Sequence, residues 1–216
     1  LVKAIEEHYD SCDAFVVAHG TYTMAETATA LSFLYHNTSK SIIITGSQCY
    51  PNEPESDAPE NLADAYEAAI HGKPGVFVSF YHHIIPGSRV RKWSSQHKDA
   101  FQAVNAPRQT LEAFVHEGRS LQDIPTNAYE RANKRYDAKV AVLTSEDPEN
   151  TCYFINQFFA QKGRNGDGII LYGLGSGNTH SKIHKTIAHW LANGKLIVLG
   201  SKCEDGGIDP TIYKAG

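Results

Sequence analysis

Three short apolar runs, Phe15-Val-Val-Ala18, Ser41-Ile-Ile-Ile-Thr45 and Gly75-Val-Phe-Val-Ser-Phe80, most tightly limit what this chain can fold into. They lack polar alternation, the pattern of strands buried on both faces in a parallel sheet covered by helices. The segments between them have helical character. Ala28, Leu31, Leu34 and Tyr35 share one side of a helix, and Asn61 to Ile70 is rich in helix formers that stop at His71-Gly72. Cys49 to Pro59 carries three prolines and reads as a loop. Strands alternating with helices at this spacing predict βαβ units with right-handed crossovers.

The pattern resumes after a polar stretch. Glu117 to Tyr136, with Pro125 and few apolar residues, reads as a linker, which predicts a larger domain over 1–124, a linker over 125–137 and a smaller α/β domain over 138–216. In the second domain Ala138–Leu143, Gly168–Gly173 and Leu196–Leu199 read as strands. One helix starts at Asp147-Pro148 with Cys152, Ile155 and Phe159 on its apolar stripe and ends around Gly163. A second runs from Lys182 to Asn193 with Ile183, Ile187 and Leu191 inward. The expected fold class is α/β, a mainly parallel sheet flanked by helices. The chain opens at Leu1 within a helical stripe (Val2, Ile5, Tyr9) and closes at Gly216 without a terminating element, so it is expected to be a piece of a longer protein with both domains incomplete.

Composition excludes several function classes. The 216 residues carry a net charge of −4, which argues against a dominant nucleic-acid surface. No apolar run is long enough to span a bilayer, and no signal-peptide pattern opens the chain. Cys12, Cys49, Cys152 and Cys203 are scattered without a Cys-x-x-Cys pair, which fits a reducing, cytoplasmic setting. His82-His83 and His97 lack metal-ligand spacing, so no metal and no cofactor are expected. Gly173-Leu-Gly-Ser-Gly-Asn178 has Asn178 where a dinucleotide fingerprint needs its third glycine; by itself it reads as a tight turn needing positive φ.

The turn after the first strand holds two hydroxyls, Thr21 and Thr23, which read equally as helix caps or as site groups. In open α/β sheets, ligands sit where these strands end and the next helix presents free N–H groups. His19-Gly-Thr-Tyr-Thr-Met24, followed by Thr27 and Ala30-Leu-Ser-Phe-Leu34, resembles the His-Gly-Thr-Asp-Thr-Met block of the L-asparaginase family, which includes the D-type subunit of archaeal glutamyl-tRNA amidotransferase. Arg89-Val-Arg-Lys92 with Asp99-Ala-Phe101 resembles the same family; its charge pattern alone would read as a solvated loop. The resemblance implies a second active-site threonine at Thr21 and an active-site lysine at Lys92. It also places Asn178 among residues that contribute to the site across a subunit interface. This sequence departs from the family at Tyr22, where the family has Asp, and it contains no Thr-Gly-Gly-Thr strand with the family's nucleophilic threonine.

Hydrolysing a carboxamide needs a nucleophile, a base and donors for the developing oxyanion. A lysine serves as base when burial, or a nearby cation such as Arg91, lowers its pKa. Backbone N–H groups near Gly20 and Ser47 could hold the amide oxygen or a substrate carboxylate, with Tyr22, Ser47 and Gln48 lining the pocket. The expected function is hydrolysis of the side-chain amide of asparagine or glutamine, in a homodimer or homotetramer, with no membrane contact and nucleic acid reached only through a partner subunit. The alternatives are a catalytically impaired relative that binds without turnover, and an ammonia-supplying subunit of a tRNA-dependent amidotransferase.

Overall fold

The computed structural model describes residues 1–120, 137–161, 166–209 and 211. They fall into two compact units, one on each side of 121–136. The linker expected over 125–137 lies, apart from Asp137, outside the described residues.

The first unit runs through α1 (Val2–His8), β1 (Ala14–Ala18), α2 (Met24–Leu34), β2 (Ser41–Thr45), α3 (Ala58–His71), β3 (Gly75–Phe80) and β4 (His83–Pro86). It continues with β5 (Val90–Lys92), β6 (Phe101–Ala103), β7 (Gln109–Thr110) and α4 (Leu111–Ser120). Its main sheet has the order β1-β2-β3-β4-β7, with the first three strands parallel and the last two antiparallel. Successive side chains on a strand face opposite ways. Ile42 and Ile44 therefore pack with Met24, Ala28 and Leu31 of α2, whereas Ile43 packs with Ala65 and Ala68 of α3 and Phe114 of α4. All five residues of β2 are buried, as expected for a strand covered by a helix layer on each face. Fully burying one such isoleucine stabilises by about 1.5–3 kcal/mol.

Five local readings of the sequence change. β1, expected to be buried on both faces, is an edge strand and only half-buried. Residues 117–120, expected to open the linker, end α4. Pro59 belongs to the first turn of α3, where its missing N–H costs nothing, so the loop ends at Asp57. Gly72 closes α3 in an extended rather than a left-handed conformation; a Cβ there would fall 2.1 Å from the Phe114 ring, so glycine is needed for helix approach. The stretch around Lys92 is a β-hairpin, β5 paired antiparallel with β6, with Lys92 opposite Phe101. Val90 and Phe101 are buried, and Phe101 packs 4.8 Å from Phe80. This apolar anchoring makes the segment a hairpin where its charges suggested a loop.

The second unit contains β8 (Val140–Thr144), α5 (Pro148–Ala160), β9 (Gly168–Gly173), α6 (Ser181–Ala192) and β10 (Leu196–Ser201). Its three strands are parallel in the order β10-β9-β8. Asp147 caps α5 by accepting the N–H groups of Glu149 and Asn150, ahead of Pro148 in the first turn. Ile155, Phe159, Ile169, Leu171 and Ile183 form the core. Leu191 does not point inward as expected but is exposed. Eight residues from Ile183 the helix has turned past the core, and Trp190 packs there instead, 5.2 Å from Phe159.

Candidate active site

The site is built where β1, β2 and β3 end. At the end of β1 the His19 N–H continues the ladder to the Thr45 carbonyl at 2.8 Å. Gly46 follows with no room for a side chain, since a Cβ would lie 2.2 Å from the His19 oxygen. His19 then fixes the turn. Its Nδ1–H donates to the Gly20 carbonyl at 2.7 Å, which leaves Nε2 to accept from the Thr27 hydroxyl at 3.0 Å. Thr23 stands at the N-cap of α2, but its side chain makes no cap bond. Capping therefore does not account for the two hydroxyls of this turn.

Thr21 Oγ1 instead accepts a hydrogen bond from Lys92 Nζ at 2.7 Å. The same Nζ donates to Gln48 Oε1 at 2.9 Å. Gln48 is oriented from its other end, where Nε2 donates to the His97 carbonyl at 3.1 Å. Three separate segments thus meet at one nitrogen: the turn after β1, the loop after β2 and the strand β5. Burial lowers the Lys92 pKa below the ordinary lysine value. Arg91, the alternative cause to burial, is turned outward by alternation along β5 and is exposed.

Tyr22 is 90% exposed, and its ring centroid lies 5.3 Å from Lys92 Nζ. The face of the ring attracts the ammonium, an effect worth about 0.5–1 kcal/mol at an exposed site. Gly20 and Ser47 line a neighbouring cavity of about 680 Å³ together with His19, Thr45, Gly46, Pro51 and Leu62. The space beside Gly20 is open, with nothing within 4 Å of where a Cβ would stand. Asn178 belongs to the second unit. There it closes the glycine turn by pairing with Leu174, while Gly175 and Gly177 adopt positive φ.

Sequence reasoning missed Asp57 and Asn61, buried at the start of α3, whose side chains hold the loop that carries Gln48. The available signal was an Asp and an Asn one helical turn apart. His82 and His83 do not form a ligand pair. Tyr81 and His82 both take positive φ in the two-residue turn between β3 and β4, and His82 pairs with Asp64 at 2.9 Å. Among the described residues no group of three or more His, Cys, Asp or Glu gathers as a metal site. No helix among them is long and apolar enough to cross a membrane.

A family model described as "Asparaginase, N-terminal" matches residues 1–119, more than half of the chain. The chain belongs to the asparaginase family. An L-asparaginase of Thermococcus kodakarensis is 31% identical over 99% of this chain and 64% of its own length. The D-type subunit of the glutamyl-tRNA(Gln) amidotransferase of Methanococcus maripaludis is 31% identical over 99% of this chain and 53% of its own length. This asparaginase-family chain therefore spans about half to two thirds of the length of these relatives. The solved structure of the T. kodakarensis thermostable L-asparaginase superposes with a TM-score of 0.77 at 30% identity, covering 99% of this chain and 64% of that one. A structure described as a probable cytoplasmic L-asparaginase from Campylobacter jejuni shares the fold, with a TM-score of 0.74 at 23% identity, covering 99% of this chain and 70% of that one.

Proposed function

We propose that this protein is an amidohydrolase of the asparaginase type, releasing ammonia from the side-chain amide of L-asparagine or L-glutamine. One observation carries this reading: Lys92 Nζ stands 2.7 Å from the Thr21 hydroxyl at the C-terminal end of a parallel sheet. Partial burial lowers the Lys92 pKa, which raises the share of free amine able to act as a base. The free amine takes the Thr21 proton. The oxygen so exposed either adds to the carboxamide carbon or draws the proton from the group that adds. The proton held on Lys92 then leaves with the ammonia, and water restores the acid.

Gly20, Tyr22 and Ser47 are the substrate-binding groups in this reading, supported by the cavity shared by Gly20 and Ser47 and by the closeness of Tyr22 to Lys92. Gln48, which does not line the cavity beside Gly20, acts on Lys92 through its carbonyl. Asn178 is proposed to serve a site shared between subunits, which calls for a homodimer or homotetramer in the cytoplasm. The proposed domain division is a larger domain over 1–124, a linker over 125–137 and a smaller domain over 138–216. Ammonia release from L-asparagine and L-glutamine by the full-length protein tests the function; no release at high enzyme concentration contradicts it.

Two observations favour second readings. Tyr22 offers no charge to a substrate ammonium, which suits a relative that binds an amino acid without turnover; calorimetry showing aspartate binding with no ammonia formed would distinguish it. The similarity to the D-type amidotransferase subunits suits an ammonia-supplying role, which requires copurification with a second subunit.

A further inference from the structure

Asp57 is only 4% exposed, although it opens the helix α3 at a position where an aspartate ordinarily caps the helix's own N–H groups. It makes no such cap bond. Its carboxylate turns to the loop instead, accepting the Gln48 N–H at 3.0 and 3.1 Å and the Cys49 N–H at 3.0 Å. It also accepts from Asn61 Nδ2 at 2.9 Å. Asn61, 2% exposed, donates from the same nitrogen to the Gly46 carbonyl at 2.9 Å, and its Oδ1 accepts the Tyr81 N–H at 2.9 Å. Two enclosed polar side chains thereby bind the ends of β2 and β3 to the first turn of α3. An enclosed carboxylate is tolerable only with such charge-assisted donors.

Gln48 stands at the centre of this arrangement. Its backbone N–H is held by Asp57, its Nε2 by the His97 carbonyl, and its Oε1 faces Lys92 Nζ. An amide oxygen can only accept. When Lys92 loses its proton, the amine keeps two N–H groups and one lone pair. Gln48 must take one N–H, so the lone pair cannot face Gln48 and is free to accept from the Thr21 hydroxyl.

We propose that Asp57 and Asn61 are positioning residues that fix Gln48 against Lys92, so that Gln48 holds one Lys92 N–H and keeps the lone pair available to Thr21. This inference deepens the proposed amidohydrolase reading and rests on it for its catalytic meaning. The geometric part is independent of turnover and is tested by a probe that does not need it.

The experiment is competitive acetylation of the full-length protein with acetic anhydride across pH, reading the Lys92 peptide by mass spectrometry. Removing the Gln48 carbonyl in Gln48→Met takes an acceptor from the ammonium, so the Lys92 labelling midpoint falls, leaving about threefold to tenfold more free amine at neutral pH. Asp57→Asn lowers the midpoint in the same direction, and the Gln48→Met/Asp57→Asn pair goes no further than Gln48→Met alone. If Asp57→Asn does not fold, Asn61→Ser carries the same expectation. A wild-type midpoint in folded Asp57→Asn or Asn61→Ser, with only a lowered melting temperature, would overturn the positioning role. An unmoved midpoint in Gln48→Met would overturn the link to Lys92. A shifted midpoint in a protein that makes no ammonia would support the positioning and reject only the amidohydrolase reading.

Discussion

Lys92 Nζ and Thr21 Oγ1 lie 2.7 Å apart although 71 residues separate them in the chain. The contact depends on two different anchors. Thr21 is placed by the close approach of His19 to Gly46 at the ends of adjacent parallel strands. Lys92 is placed by a hairpin that buries Val90 and Phe101 against the same core that α2 covers. Neither residue would hold its position without the sheet, and the sheet leaves the pair on the face where α/β folds bind ligands.

The pH dependence follows from burial of Lys92. An amine that must be unprotonated to act gives a rate that rises with pH through its folded-state pKa. Burial lowers that pKa from the usual lysine value, so the rising limb of kcat/KM is expected below about 10.4. The limb should be absent in Lys92→Met. A limb centred at the free-lysine value would show that burial does not tune this group.

Tyr22 is a proposed substrate contact, and its exchange tests that role. If the substrate carries an ammonium beside its amide carbon chain, Tyr22→Asp supplies a charge-assisted partner worth about 1.5–3 kcal/mol, and KM for L-asparagine falls roughly tenfold to hundredfold. The carboxylate beside Lys92 also stabilises its ammonium, which moves the pH limb upward. Measuring KM and the pH profile on one variant separates the two effects. An unchanged KM would mean that the ammonium sits elsewhere.

Phe101 couples stability to the site. It is fully enclosed, pairs with Lys92 across the hairpin and packs on Phe80. Phe101→Ala should cost about 3–5 kcal/mol in urea unfolding. Phe101→Leu should cost less, because it retains most of the volume. If Lys92 is held by this hairpin, Phe101→Leu also lowers ammonia release while the protein stays folded.

Much of the framework was legible because buried parallel strands leave an unmistakable signature: Ile42, Ile43 and Ile44 cannot all be buried except between two helix layers. The hairpin at Lys92 was not, since Val90, Ala100 and Phe101, the buried residues that anchor it, are too unevenly spaced for a periodic pattern. The resemblance pointed to Thr21 and Lys92, and the structure puts them in contact. It was silent on how Gln48 is oriented. Asp57 and Asn61 hold the loop that carries Gln48 largely through its backbone groups, and their only mark in the sequence is a spacing of one helical turn. Leu191 misled because eight helical residues do not complete a whole number of turns.

The most direct test compares ammonia release from L-asparagine and L-glutamine by the full-length protein and by Thr21→Val, Lys92→Met and the double variant. Each single change is expected to lower the rate by about 10²–10⁴-fold. The double variant should be little worse than either, because the two groups act as one unit. Undiminished release by Thr21→Val or Lys92→Met, or losses that multiply in the double variant, would contradict a shared proton between Thr21 and Lys92.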